Sequence, residues 1–309
     1  MDDRFKDQET FLTLGQGQLG NEETKNVGMV SIIIPAYNEE NGIVDTVTEV
    51  RKVMSESHYD YEVIVVDDGS TDKTSERVRT TGARVVRHPE NRGYGAGLKT
   101  GIRSSKGDWI VIMDADLTYP ADRIPDLLRD AGEYDMVVGA RVGGAAKIPL
   151  IRRPAKWVLS KVANYLAETK IPDYNSGLRV FRKDLALKFF KILPQGFSFT
   201  TTITLCSLCH GFRVKYIPID YHKRAGKSKI HPIKDTYRFF MLIVRTTVYF
   251  NPLRVFMPIG TVLGTLGMAK LAHEIIVTGG LAETSVLLLL ASFQTIALGL
   301  IADMINKRI

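Results

Sequence analysis

Trp109-Ile110-Val111-Ile112-Met113-Asp114-Ala115-Asp116 sets an apolar, β-branched run directly against two carboxylates one residue apart. A run of this kind, without polar alternation, reads as a strand covered on both faces, as in the middle of a parallel sheet. The same pattern recurs upstream. Val30-Ser31-Ile32-Ile33-Ile34 ends at Pro35 and is followed by Tyr37-Asn38-Glu39. Tyr61-Glu62-Val63-Ile64-Val65-Val66 runs into Asp67-Asp68-Gly69-Ser70. Residues 84–87 and 134–139 read as further strands. Residues 40–54, 71–80 and 95–104 carry helical apolar spacing. Strands alternating with helices imply βαβ units and a mostly parallel sheet with flanking helices, an α/β fold. Such sheets bind ligands at the carboxyl ends of their strands, and here three strand ends converge acidic groups on one edge.

Further along the chain the signal changes. Residues 156–168 have helical spacing, 173–177 form a loop, Leu178-Arg179-Val180-Phe181 is a strand and 184–192 a helix. Val255 to Ala269 is apolar and uncharged, and after Gly279-Gly280 a cleaner apolar run extends from Ser285 to Ala302. A spanning helix takes roughly 20 residues. The second run qualifies, and the first does so if Lys270 and Glu274 lie near an interface and snorkel. The pair reads as a transmembrane helical hairpin. Arginines and lysines flank its open end (Arg238, Arg245, Arg254, Lys307, Arg308), whereas the connecting loop has only Glu283. The positive-inside rule then puts the N-terminal domain in the cytoplasm. Residues 232–252, with apolar positions on one face, fit an amphipathic helix in the interface plane. The first 28 residues read as a mobile tail. The organisation expected is therefore a tail at 1–28, a catalytic domain at 29–231, an interfacial helix at 232–252 and two spans at 253–309.

The net charge is +7. Its densest concentration, Arg213 to Lys234 against the single acid Asp220, lies just ahead of the apolar tail. That position points to a membrane surface and phosphate groups and not to nucleic acid. Two cysteines, Cys206 and Cys209, cannot staple a chain of 309 residues, so a reducing compartment is expected. With His210 they match a haem-attachment pattern by letter. They sit in an apolar helical run, though, and read as core residues.

Asp114-Ala115-Asp116 is the central chemical signal. Hard divalent cations such as Mg²⁺ or Mn²⁺ take oxygen ligands, usually one or two carboxylates plus substrate phosphates. Such a cation offsets charge on a departing diphosphate. The string Gly93-Tyr94-Gly95-Ala96-Gly97-Leu98-Lys99-Thr100 fits neither the P-loop nor the dinucleotide spacing. It reads as a place where backbone approaches a ligand before a helix, with Lys99 a solvated charge.

Pro35-Ala36-Tyr37-Asn38-Glu39-Glu40, Val65-Val66-Asp67-Asp68-Gly69-Ser70-Thr71-Asp72 and Asp114-Ala115-Asp116 together resemble the inverting family 2 glycosyltransferases with a GT-A nucleotide-diphospho-sugar transferase fold. Gly139-Ala140-Arg141, Asn175-Ser176-Gly177-Leu178-Arg179-Val180-Phe181 and Lys223-Arg224-Ala225-Gly226-Lys227-Ser228-Lys229 narrow the likeness to the dolichol-phosphate mannose synthase and polyprenyl-phosphate glycosyltransferase branch. The resemblance implies that Pro35, Tyr37, Glu39 and Asp68 hold the base and ribose of a nucleotide-sugar donor, GDP-mannose or a UDP-hexose. It implies that Asp114 and Ala115 contact the nucleotide and that Asp116, with Asp114, binds the metal. Arg141, Arg224 and Lys229 would contact phosphates of donor or polyprenyl phosphate. Many relatives carry a metal-holding glutamine where this chain has Thr118, a weaker ligand. Asp173 is placed near the reacting sugar, as a positioning group more than a base, because a lipid phosphate is already anionic.

Two other readings stand beside this one. A polysaccharide acceptor is disfavoured because neither Trp109 nor Trp157 follows an arginine and only two spans are evident. A non-catalytic nucleotide-binding membrane adaptor is disfavoured by the intact acidic pair. Gly260, Gly264 and Gly267 would let spans pack closely, within one chain or in a homo-oligomer.

Overall fold

The computed structural model describes residues 27–141, 171–196, 198–221, 241, 248–249, 251–278 and 283–306. The expected helix at 156–168, nearly all of the tail, most of the interfacial helix, and Arg224 and Lys229 lie outside the described residues. The chain divides into two compact units, one carrying the sheet and the other the C-terminal helices.

The sheet unit begins β1 (Val30–Ala36), α1 (Ile43–Ser55), β2 (Tyr61–Asp67), α2 (Thr74–Thr80), β3 (Arg84–Arg87), α3 (Tyr94–Ser104) and β4 (Trp109–Ile112). It continues with α4 (Ile124–Arg129), β5 (Met136–Arg141), β6 (Arg179–Arg182), α5 (Lys183–Lys188), the first turn of α6 (Phe199–Cys209), whose residues from Thr204 belong to the other unit, and β7 (Val214–Ile219). The seven strands lie in the order β3-β2-β1-β4-β6-β5-β7. The pairs β1–β2, β1–β4, β2–β3 and β5–β7 are parallel, while β6 runs antiparallel to both β4 and β5.

Alternation along β1 explains the layering. Ile32 and Ile34, fully buried, join one core cluster with Ile43, Val47, Val50 and Met54 of α1, which recur at helical spacing. Pro35 and Ile33 meet the other side, where α3 packs against them at Gly97 and Gly101. Both faces are covered, as the continuous apolar strands require.

The elements agree closely with the sequence reading, with four differences. The helix α4 was not anticipated between the fourth and fifth strands. The helix expected at 184–192 stops at Lys188. The strand β7 has no counterpart in that reading: Lys215 and Pro218 break its pattern, and both are tolerated because β7 is an edge strand. The first apolar run is continuous through Lys270 and Glu274, forming α7 (Leu253–Thr278), which pairs with α8 (Glu283–Asn306). Leu253–Val277 and Glu283–Ile305 are each long and apolar enough to cross a membrane.

Gly69 holds the edge loops together. Its φ is +74°, and a Cβ there would lie 2.5 Å from the Glu90 carbonyl carbon and 2.7 Å from Asn91 N. Replacing it, Gly69→Ala, forces strained backbone against backbone that cannot yield. A loss of about 2 kcal/mol or more in thermal unfolding of the full chain is expected.

Candidate active site

The acids predicted at the strand ends share the carboxyl edge of β2, β1 and β4. The loops that carry them are stitched by hydrogen bonds. Asn38, at φ 56°, accepts from Thr71 N–H through Oδ1 at 2.9 Å, while its own N–H donates to Ser70 Oγ at 3.0 Å. Glu39 N–H donates to Thr74 Oγ1 at 2.9 Å and Glu40 N–H to Asp72 Oδ2 at 3.2 Å. Tyr37 lies beside these bonds with its side chain exposed. Pro35 sits within β1, its ring facing Gly97.

Asp68 is buried, and its carboxylate faces inward donors. His88 Nδ1 lies 2.6 Å from Oδ1, Arg92 N–H donates to Oδ1 at 3.0 Å, and Gly93 N–H donates to Oδ2 at 2.8 Å. His88 is itself buried, with Nε2 2.8 Å from Thr100 Oγ1 on α3. Asp67 is engaged too, by Ser70 N–H at 2.9 Å, by the Ser75 hydroxyl and by Arg87.

The acidic pair follows β4 immediately. Ala115 is buried, and its carbonyl accepts from the Thr46 hydroxyl at 3.1 Å, which fixes the loop to α1. Asp114 Oδ1 accepts from the Tyr94 hydroxyl at 2.9 Å, and Gly177 backs directly against the same carboxylate. Asp116 Oδ1 accepts from the Thr118 hydroxyl at 2.5 Å and from Thr118 N–H at 3.3 Å, and Leu117 between them has φ 58°. Thr118 therefore donates its hydroxyl proton to Asp116 and braces that carboxylate. Burial, together with the Asp114 charge, pushes the Tyr94 and Tyr119 phenols up, so both stay protonated; Tyr94 donates to Asp114, while the Tyr119 oxygen accepts from Gly177 N–H at 2.7 Å. Among the described residues no three His, Cys, Asp or Glu side chains gather as a metal cage.

Beyond that pair, Arg141 at the end of β5 forms a fork with Asp173. Nε donates to Oδ2 at 2.7 Å, Nη2 to Oδ1 at 2.8 Å, and Arg141 N–H to Oδ2 at 3.2 Å. Asn175 N–H adds a fourth donor at 3.0 Å. Burial opposes ionisation of Asp173, but the guanidinium and these N–H groups outweigh it and hold the carboxyl below its ordinary pKa. The Arg141 guanidinium also stacks 5.3 Å from the Tyr221 ring. Behind the loop, fully buried Arg179 donates to Ser176 O through Nε and Nη2, and to Thr200 O through Nη1 at 2.9 Å.

Several residues escaped the sequence reading. His88 follows β3 as the one ring among charges and was passed over; the polar end of a strand was the available signal. Tyr94 and Thr100 lay inside the glycine string and Tyr119 beyond the acidic pair. Lys99 is not a free charge: it donates to Leu193 O at 2.6 Å and lies over the Phe190 ring. On α6, Cys206 is buried and Cys209 half-buried; burial raises both thiols, Cys209 to about 11.

A parallel sheet whose carboxyl edge presents a braced acidic pair beside an arginine–carboxylate fork is the frame of a GT-A-type transferase. Residues 31–190 match glycosyl transferase family 2 and residues 251–307 match the GtrB C-terminal hairpin; the chain belongs to glycosyl transferase family 2. It is 31% identical over 222 residues to a low-salt glycan biosynthesis hexosyltransferase of Haloferax volcanii, covering 69% of this chain and 53% of that protein. It is 29% identical over 207 residues to a dolichyl-phosphate hexose transferase of the same organism, covering 66% and 87%. An undecaprenyl-phosphate 4-deoxy-4-formamido-L-arabinose transferase of Pseudomonas fluorescens is 30% identical over 256 residues, covering 77% and 70%. In fold, it is similar to glucosyl-3-phosphoglycerate synthase from Mycobacterium tuberculosis, crystallised with Mn²⁺, UDP-glucose and phosphoglyceric acid. The TM-score is 0.58 at 21% identity, covering 72% of this chain and 81% of that one.

The fork makes a pH prediction. Because the folded pKa of Asp173 is depressed, its contribution is present above the unfolded value of 3.8 and lost as pH falls through the folded value. Asp173→Asn should cost about 3 kcal/mol near neutral pH by stranding Arg141. In thermal shift from pH 7 downward, that gap should hold to about pH 4 and close below it.

Proposed function

We propose that the chain transfers a sugar from a nucleotide-sugar donor to a polyprenyl phosphate, with inversion at the anomeric carbon, at the cytoplasmic face of a membrane. The observation that carries this reading is the braced acidic pair after β4, beside the Arg141–Asp173 fork, in a chain that also bears two apolar helices of spanning length. The relatives support it, since two of them are named for transfer to dolichyl or undecaprenyl phosphate.

In this reading an oxygen of the acceptor phosphate attacks the anomeric carbon from the side opposite the diphosphate. The new carbon–oxygen bond forms as the bond to the diphosphate oxygen breaks, and the electron pair leaves with the nucleoside diphosphate. Asp116 and Asp114 fit a divalent cation: they are hard oxygen donors with one residue between them, each already oriented by a hydroxyl. When bound, such a cation supplies positive charge to the leaving diphosphate. Arg141 would lend further positive charge to phosphate, with its plane fixed by Asp173. Asp173, already committed to that guanidinium, is a poor base. None is needed, because the acceptor phosphate arrives anionic. Tyr37 would lie against the base, and Arg224 and Lys229 would meet phosphate from the lipid side.

Membranes carrying the chain should transfer label from a nucleotide sugar to polyprenyl phosphate. A chelator should stop transfer, and Mn²⁺ or Mg²⁺ should restore it. Asp116→Asn should reduce kcat by about a hundredfold or more while leaving the unfolding temperature near that of the wild type. Absence of transfer across the common donors, with active relatives as controls, would remove this reading.

A further inference from the structure

We infer that Lys99 is a positioning residue for Asp114: it latches the first turn of α3 to the loop at 193–196 and so delivers the Tyr94 hydroxyl to that carboxylate. The inference rests on the reading of Asp114 and Asp116 as holders of a divalent cation, and concerns what sets their affinity for it.

The glycine string from Gly93 reads in sequence as backbone approaching a ligand. In the structure its backbone approaches the 193–196 loop. A Cβ at Gly93, whose φ is +102°, would lie 2.7 Å from Gln195 O. One at Gly95 would press into Pro194 O and lie 2.8 Å from Gly196 O. Ala96 N–H donates to Gln195 O at 2.9 Å. Lys99, one turn beyond Gly95 and on the same side of the helix, donates through Nζ to Leu193 O at 2.6 Å and lies 4.9 Å from the centre of the Phe190 ring. The first N–H groups of a helix have no partner within it. Here the loop supplies one, and Lys99 ties the loop down.

Tyr94 shares its side of α3 with Gly97 and Gly101, three and seven positions on. That side rests on β1. A Cβ at Gly97 would lie 3.3 Å from Pro35 Cβ, and one at Gly101 would collide with Ile33. The first turn is thus held between the sheet and the 193–196 loop, and from there the Tyr94 hydroxyl reaches Asp114 Oδ1 at 2.9 Å. Gly177 backs the same carboxylate. A Cβ there would lie 2.6 Å from Asp114 Cγ and 2.7 Å from Oδ1, and closer still to Oδ2, so the flat face of the carboxylate lies against this glycine. With its face against Gly177 and Oδ1 tied to Tyr94, the carboxylate cannot turn. Its direction therefore follows the position of the first turn of α3, which Lys99 fixes.

The test is binding of Mn²⁺ alone to the full chain in detergent, read from the electron paramagnetic resonance signal of the free ion. Partners that orient a metal ligand typically govern affinity by tenfold or more, so Tyr94→Phe should weaken binding about tenfold. Lys99→Met should weaken it about threefold, the effect of one lost hydrogen bond, whereas Lys99→Arg keeps a cationic donor and should stay nearer the wild type. The deciding measurement is the double variant. Because Lys99 acts through Tyr94, Tyr94→Phe with Lys99→Met should bind no more weakly than Tyr94→Phe alone. Losses that multiply in the double variant, or unchanged affinity in Lys99→Met, overturn the inference and leave the cation reading of the acidic pair intact. A wild-type chain that binds no Mn²⁺ overturns that reading and the inference with it.

Discussion

Carboxylates crowd the carboxyl edge of this sheet, and hydrogen-bond donors are built around each. Asp67 is held by Ser70 N–H, the Ser75 hydroxyl and Arg87; Asp68 by His88 and two backbone N–H groups; Asp72 by Thr74. Asp114 has Tyr94, Asp116 has Thr118 and Asp173 has Arg141. Like charges at the ends of adjacent strands repel, and burial raises the cost of each. The loops after β1, β2 and β3 are therefore shaped as donors. Their glycines, turns and positive-φ residues follow from that need.

The donors also sort the acids by task. Asp67 and Asp68 accept mainly from neighbouring backbone, short hydroxyls and one ring, so they organise loops. Asp173 accepts a full guanidinium fork and is spent on orienting Arg141. Asp114 and Asp116 are braced through hydroxyl groups, which are neutral. The pair is fixed in direction and half-exposed, which fits the proposed role of holding a cation.

Much of this was legible in the sequence because it is local. Continuous apolar strands, amphipathic α1 and the two long C-terminal helices are written in spacing, and the acids stand next to the strands that place them. What was not legible is non-local. Arg141 and Asp173 lie 32 positions apart, and nothing in either neighbourhood announces the fork. The antiparallel insertion of β6 between β4 and β5 depends on pairing that β-propensity does not encode. His88 gains its role only when β3 and α3 bring Asp68 and Thr100 to its two nitrogens. Thr118 looked like a weakened metal ligand by position, and its hydroxyl proved to point at Asp116.

The hairpin repeats the same logic in apolar surroundings. A Cβ at Gly260 would lie within 3.4 Å of Ser292 O and closer still to Ile296, and one at Gly264 would lie 2.9 Å from Ser292 Oγ. Ser292 donates to Gly260 O at 2.8 Å, and Ser285 donates to Glu274 at 2.7 Å. The small residues and polar groups of α7 and α8 thus face each other, while Val262, Leu266, Ile276, Phe293 and Ile301 remain exposed. Where no water competes, polar groups must find partners inside the protein, and close helix approach needs small residues. Gly260, Gly264 and Gly267 are taken up by the contact between α7 and α8. Any association of copies through these helices would have to use the large apolar side chains instead, the surface that a lipid environment already satisfies.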